Sequence, residues 1–145
     1  MNIIVDSCFW IALYVERDEF HIWANDMWDQ LQGVNKFLVP YPTMYEFINT
    51  RLMRKPKNVI LFKELFSNRD KLIRISDEQY KEDAVQTTLQ PSSRTISLVD
   101  MTIRLMLEDD SIKKNALLTL NVGDFEDVCR RKRIEVIGHY GKCGT

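Results

Sequence analysis

Four short apolar runs, at residues 2–5, 37–39, 72–75 and 116–120, recur along the chain with longer helix-periodic stretches between them. That alternation constrains the fold more than any other feature. Brief runs dominated by valine, isoleucine and leucine suit strands buried on both faces, which is the condition of a parallel sheet. Residues 134–137 read as a further, edge strand. Parallel neighbours need crossovers, and intervening helices supply them while covering both faces. The expected architecture is α/β, a three-layer α/β/α domain around a short central parallel sheet.

The helical stretches carry their own punctuation. Asp6 and Ser7 end the first run and are placed to cap a helix over 8–14. From Glu19, the residues Phe20, Trp23, Ala24, Met27, Trp28 and Leu31 share one stripe of a helix closing near Gly33. That stripe assigns Trp23 and Trp28 to the core or an interface. Pro40 and Pro42 end the second run, and Met44, Phe47, Ile48 and Leu52 predict one helix over 43–55, closed by Pro56. Asn58 is a cap candidate for a helix to Phe66, and Ser76 with Gln79 reads as a capping box opening a helix towards Leu89. Residues 90–94 read as loop, 97–108 as an apolar helix placed in the core, and 140–145 as a frayed, flexible tail.

A chain of 145 residues with 5 glycines and 4 prolines is expected to form one domain over 1–145 without a flexible linker. With 20 basic against 21 acidic residues and a net charge of -1, it lacks the basic excess of a general nucleic-acid binder. Attraction for RNA must then come from local basic patches and bound metal. Cys8, Cys129 and Cys143 have no C-x-x-C spacing, and His21 and His139 are the only histidines. A disulfide framework, a structural zinc and a histidine-rich metal site are all disfavoured. The apolar N-terminal run has no preceding positive region and is broken by Asp6, so it reads as neither signal peptide nor membrane span. The expectation is a soluble, reduced, cytoplasmic protein with no membrane association.

In parallel sheets, functional groups gather at the carboxyl ends of strands. Asp6 follows the first strand directly, Asn121 and Asp124 follow the fourth, and Glu46 is expected in the first turn of the helix after the second. Asp100 interrupts the apolar stretch 98–103, where an unpaired carboxylate is costly. Such side chains meeting at one edge repel one another unless a cation neutralises them. An all-oxygen donor set suits Mg²⁺ or Mn²⁺, and the chemistry that follows is phosphodiester hydrolysis by metal-activated water. Each residue also has a local reading. Asp6 and Asp124 suit caps, Glu46 a helix N-terminus, and Asp100 an ion pair with Arg104 four residues on.

Four motifs join these residues. Val5-Asp6-Ser7-Cys8-Phe9-Trp10-Ile11-Ala12-Leu13 resembles the first motif of the PIN-domain family, and Pro42-Thr43-Met44-Tyr45-Glu46-Phe47 resembles the second. Ser97-Leu98-Val99-Asp100 resembles the third, and Leu117-Leu118-Thr119-Leu120-Asn121-Val122-Gly123-Asp124-Phe125 the fourth. The resemblance runs from about residue 3 to 137 and is nearest to VapC-type toxin ribonucleases. It implies a PIN-like fold, a Mg²⁺- or Mn²⁺-dependent endoribonuclease acting on single-stranded or structured RNA, and Asp6, Glu46 and Asp100 as metal ligands. Asp124 joins them as a catalytic and metal-binding candidate. Asn121 stands where the family often has Asp, and its amide can bind metal only through a neutral oxygen. One metal is therefore expected, with a second arriving with substrate. Ser7 and Thr119 are expected to hold carboxylates by hydrogen bonds.

The resemblance further implies a toxin of a toxin–antitoxin pair, a small antitoxin as partner, and a homodimer. Arg51, Arg54, Lys55 and Lys57, and also Arg130, Arg131, Lys132 and Arg133, are candidate RNA contacts expected to flank the acidic edge. The alternatives are a catalytically silent PIN-type binding or assembly module and an RNA-processing nuclease that is not a toxin. A phosphate-accepting receiver-like domain fits poorly, since no adjacent acids follow Asp6 and no strand ends in lysine. A dinucleotide-binding fold lacks any G-x-G-x-x-G.

Overall fold

The alternation of runs and stripes resolves, in a computed structural model, into a five-stranded sheet in which all the strands are parallel. Residues 1–91 and 95–139 are described. The strands are β1 (Asn2–Val5), β2 (Lys36–Pro40), β3 (Leu72–Ile75), β4 (Ala116–Thr119) and β5 (Glu135–Gly138), in the order β3-β2-β1-β4-β5. β1 is central, with Ile4 in register with Leu38 on one side and Leu117 on the other.

Strand periodicity divides the core into two halves. Ile3 and Val5, Phe37 and Val39, and Ala116 and Leu118 face an aromatic cluster built on Phe9, Trp10, Phe47, Phe62 and Phe66. That cluster belongs to α1 (Ser7–Tyr14), α2 (His21–Leu31), α3 (Tyr41–Phe47), α4 (Thr50–Met53) and α5 (Pro56–Ser67). Ile4, Leu38 and Leu117 point the other way, to Ile103, Leu107, Phe125 and Val128. These sit on α7 (Leu98–Glu108), α8 (Glu126–Lys132) and the turn between β4 and α8; α6 (Lys81–Thr88) packs on α7. Each fully buried side chain of this size contributes roughly 1.5–3 kcal/mol. Trp23 and Trp28 lie half-buried against the aromatic cluster, Trp28 at 4.8 Å from Phe37 and Trp23 at 6.2 Å from Phe9. The stripe assigned them to the core or an interface, and they pack against the edge of the core.

Several local readings change. The helix expected over 43–55 is two helices, because the chain leaves helical geometry at Ile48 and Asn49 restarts it by accepting from the Leu52 amide at 3.2 Å. Pro42 opens α3, where its missing N–H costs nothing. Asn58 is not a cap: it is buried and donates to the Leu52 carbonyl at 2.8 Å, satisfying the end of α4. Ser76 makes a turn with the Glu78 amide instead of a capping box, and α6 begins only at Lys81. The helix over 97–108 buries one face alone, with Leu98 45% exposed. Cys129 is a buried free thiol whose pKa burial raises to about 11, whereas Cys8 is disulfide-bonded, against the expectation of reduced cysteines. Among the described residues no helix is long and apolar enough to cross a membrane. The expected tail at 140–145, Cys143 included, lies outside the described residues.

Candidate active site

Asp6 is the residue at which β1 becomes α1. Its amide extends the ladder to the Leu118 carbonyl at 3.0 Å, which sets the side chain at the carboxyl edge of the two central strands. The residue is 1% exposed. Oδ1 accepts from the Ser7 amide at 2.7 Å, and Oδ2 accepts from the Thr119 hydroxyl at 2.9 Å. The capping reading of Asp6 is thus correct, but it excludes nothing. Oδ2, with one donor, keeps a second lone pair for a ligand.

Ser7 and Thr119 both hydrogen-bond to carboxylates. The Ser7 hydroxyl donates to Glu46 Oε1 at 2.7 Å and lies 3.4 Å from Asp6 Oδ1, so it bridges two carboxylates. Thr119 is fully buried, and its hydroxyl accepts from the Asn121 amide at 3.0 Å while donating to Asp6. One relay therefore ties the fourth corner to the first. Gly138 is needed for this packing, because a Cβ there would stand 1.7 Å from the Thr119 carbonyl oxygen.

Glu46 sits in the last turn of α3, not the first turn of a longer helix. Negative charge is disfavoured at a helix C-terminus, so the local explanation for this residue fails. Asp100 occupies the first turn of α7, where Ser97 caps the helix by accepting the Asp100 amide at 3.2 Å. The alternative ion pair with Arg104 does not form among the described residues. Arg104 instead grips Asp127 through two bonds of 2.8 Å and donates to the Asp124 carbonyl at 2.7 Å. Asp127 is a residue that motif reasoning missed, and a partner 23 residues away leaves no local signal. Asp124 ends the 3-10 turn Val122–Asp124. Asn121, half-buried, places its amide nitrogen 3.8 Å from Cys8 Sγ.

These groups share one electrostatic field. Burial, then the negative charge of Asp6, Asp124 and Glu46, raises the pKa of Asp100 to about 8. Burial and Glu46 raise Asp6 to about 6, although the hydroxyl and amide donors oppose the shift. Among the described residues no lysine, arginine or histidine forms an ion pair with any of the four carboxylates. An all-oxygen set that repels itself fits a hard divalent cation. No three His, Cys, Asp or Glu side chains among the described residues stand close enough to hold a metal as a ready-made cluster. Mg²⁺ needs no such cluster, since it binds through one or two carboxylates and keeps its waters.

The basic candidates divide. Arg51, Arg54 and Lys55 are exposed around α4, which follows the Glu46 helix, while Lys57 pairs with Glu16 at 3.0 Å. The cluster at 130–133 ends α8 at the opposite edge of the sheet. There Lys132 shares a cleft with Asn2 and Asn115 and pairs with Asp110, and Arg131 pairs with Glu108.

No family model and no curated protein matches the chain. Solved structures do. VapC20 of Mycobacterium tuberculosis, described as a sarcin-ricin loop cleaving toxin, superposes with a TM-score of 0.62 at 20% identity, over 79% of this chain and 86% of that one. VapBC2 from Rickettsia felis, bound to a DNA fragment from their promoter, gives 0.60 at 11% identity, over 95% and 98%. The chain therefore has the three-layer PIN-like fold of VapC toxins.

Proposed function

We propose that the protein is a Mg²⁺- or Mn²⁺-dependent endoribonuclease and the toxin of a toxin–antitoxin pair. One observation carries the reading: the charges of Asp6, Glu46 and Asp124 act together on Asp100 beside buried Asp6 at the edge of a VapC-like sheet, and among the described residues none of the four carboxylates forms an ion pair. Asp6 and Asp100 are the principal ligands in this reading, with Glu46 and Asp124 completing the site and Asn121 contributing a neutral oxygen. A divalent ion held there supplies a lowered pKa for attacking water and offsets charge on the phosphate. The chain's part is positional. Ser7 and Thr119 fix the Asp6 and Glu46 oxygens, burial excludes bulk water from Asp6, and exposed Arg51, Arg54 and Lys55 meet the phosphates of RNA.

Partner proteins belong to the same proposal. Val59, Ile60 and Leu61 on α5 and Ile22 on α2 are exposed apolar side chains, and in this reading they are available to a homodimer contact or a small antitoxin in the cytoplasm. Light scattering of the purified chain, alone and with a candidate antitoxin, reads both.

The test is cleavage of total RNA and of a sarcin–ricin-type loop by purified protein with each metal. Asp6→Asn and Asp100→Asn are expected to abolish cleavage with circular dichroism unchanged. Failure of the unmodified protein to cut any RNA with either metal, together with harmless expression, sinks the reading. Asn121 and the lack of a preformed three-ligand cluster among the described residues favour one rival, a silent binding module. Calorimetry showing no Mn²⁺ uptake at millimolar concentration would select it.

A further inference from the structure

Arg104 lies one helical turn beyond Asp100 on α7, yet it forms no ion pair with that residue. Its side chain is 16% exposed and its guanidinium is fully directed at the segment carrying Asp124. Nη1 donates to the Asp124 carbonyl at 2.7 Å and to Asp127 Oδ1 at 2.8 Å, while Nη2 donates to Asp127 Oδ2 at 2.8 Å. A planar fork of this kind fixes orientation as well as distance.

The location matters more than the pair. Val122 and Phe125 are buried on either side of Asp124, and the Val122 amide is held by the His139 carbonyl at 3.3 Å. The bond from Arg104 is the one made to the main chain of Asp124 from the helix that bears Asp100. Asp100 in turn feels the charge of Asp124. We infer that Arg104 is a positioning residue for the acidic site: through the Asp124 carbonyl it sets the spacing of the Asp100 and Asp124 carboxylates. Asp127 has a matching task. By taking up the guanidinium charge in a bidentate pair, it leaves the negative field of the site available to a cation.

This inference rests on the nuclease reading for its purpose, but its geometry can be tested separately. The variants are Arg104→Met, Arg104→Lys and Asp127→Asn, each examined by Mn²⁺ calorimetry and by hydrogen exchange of the amides over 123–126. Arg104→Met is expected to weaken Mn²⁺ binding about tenfold, as loss of a group that orients ligands does, and to speed exchange over 123–126 while β1 amides stay protected. Arg104→Lys, which keeps one bond but not the fork, is expected to fall between. Asp127→Asn keeps the bond to the carbonyl and is also expected to be intermediate.

The sign of the binding change is decisive. If Arg104 acted as a nearby positive charge, its removal would tighten Mn²⁺ binding, and that result overturns the proposal. A lower melting temperature with Mn²⁺ affinity and exchange unchanged also overturns it, because that marks a merely stabilising ion pair. If the unmodified protein takes up no Mn²⁺, the nuclease reading fails, and the exchange measurement alone decides the clamp. Should Arg104→Met not fold, the other two variants carry the same readouts.

Discussion

The two ends of the sheet treat charge in opposite ways. Where the strands begin, Lys132 pairs with Asp110 at 3.1 Å, Arg131 pairs with Glu108, and Lys114 donates to the carbonyls of Asp109 and Ile112 at 2.6 and 3.1 Å. Where the strands end, Asp6, Glu46, Asp100 and Asp124 share a field with no ion pair among the described residues, and Asp100 is pushed up to about 8. Composition does not force this, since basic and acidic residues nearly balance at 20 to 21. Among the described residues, cations pair with acids where the strands begin, while the four carboxylates where the strands end form no ion pair. An arrangement that forgoes available stability at a single place marks that place as one completed from outside.

Asp6→Asn breaks the comparison hardest. It keeps the size of the side chain and one of the two accepted hydrogen bonds while deleting the buried charge. RNA cleavage with Mn²⁺ is expected to fall by about 10³-fold or more, the order of several kcal/mol of transition-state stabilisation. Glu108→Gln at the other end is expected to leave the rate within about twofold. Equal losses in the two variants would erase the distinction between the ends.

Asp100→Asn should separate function from stability. Asp6 and Asp100 titrate in the folded chain at about 6 and about 8, above ordinary carboxylates. The folded state therefore holds their protons more tightly than the unfolded chain. The stability they lend is complete below about pH 4 and is lost as pH rises through those two values. In metal-free buffer the Asn variant is expected to match the unmodified protein near pH 4. It should then melt higher near pH 9, where the unmodified protein must ionise Asp100 in its folded state. Millimolar Mn²⁺ should reverse the gap, because only the intact site gains from the ion. Melting curves that stay parallel across pH contradict this account.

How much of this was legible beforehand depends on the range of the interaction. β3 was readable to the residue because a buried strand is a local apolar run, and Asp6 because it ends one. Ser97 with Asp100 was readable because a cap and its helix are adjacent. Glu46 was placed at the wrong end of its helix. The stripe Met44, Phe47, Ile48 and Leu52 stays apolar across the break at Asn49, so periodicity alone cannot show that α3 stops. The alternative of an Asp100–Arg104 ion pair arises because i,i+4 spacing always offers it. The competing acceptors at Asp124 and Asp127 arrive only through the fold. The basic residues at 130–133 adjoin the fourth motif in sequence, but α8 carries them away from it along the sheet.

Thr119→Val sharpens the comparison without touching a charge. The substitution keeps the β-branched shape that the buried strand position needs, and removes the donor to Asp6 Oδ2 and the acceptor for the Asn121 amide. Stability is expected to drop by about 1 kcal/mol. Mn²⁺ affinity measured by calorimetry should fall about tenfold, as is common when a ligand loses the group that orients it. A stability loss with affinity intact would make Thr119 part of the strand and not of the site.

The smallest effect belongs at the paired end. Lys132→Met removes one partner of an ion pair whose acid, Asp110, is 85% exposed in its side chain, so water takes over the carboxylate. Exposed pairs contribute about 0–1 kcal/mol, and the retained methylene stem keeps most of the packing against the cleft. The melting temperature is expected to move by less than about 2 °C. Raising the salt concentration should shrink even that difference by screening the pair. The same salt increase should change the metal-free acidic end the other way, by relieving repulsion among Asp6, Glu46, Asp100 and Asp124. Melting temperature against salt, for the unmodified chain and for Asp100→Asn, tests that opposition. The unmodified chain should gain more from salt than the variant at pH 9, and a common slope would show that the two ends are electrostatically alike after all.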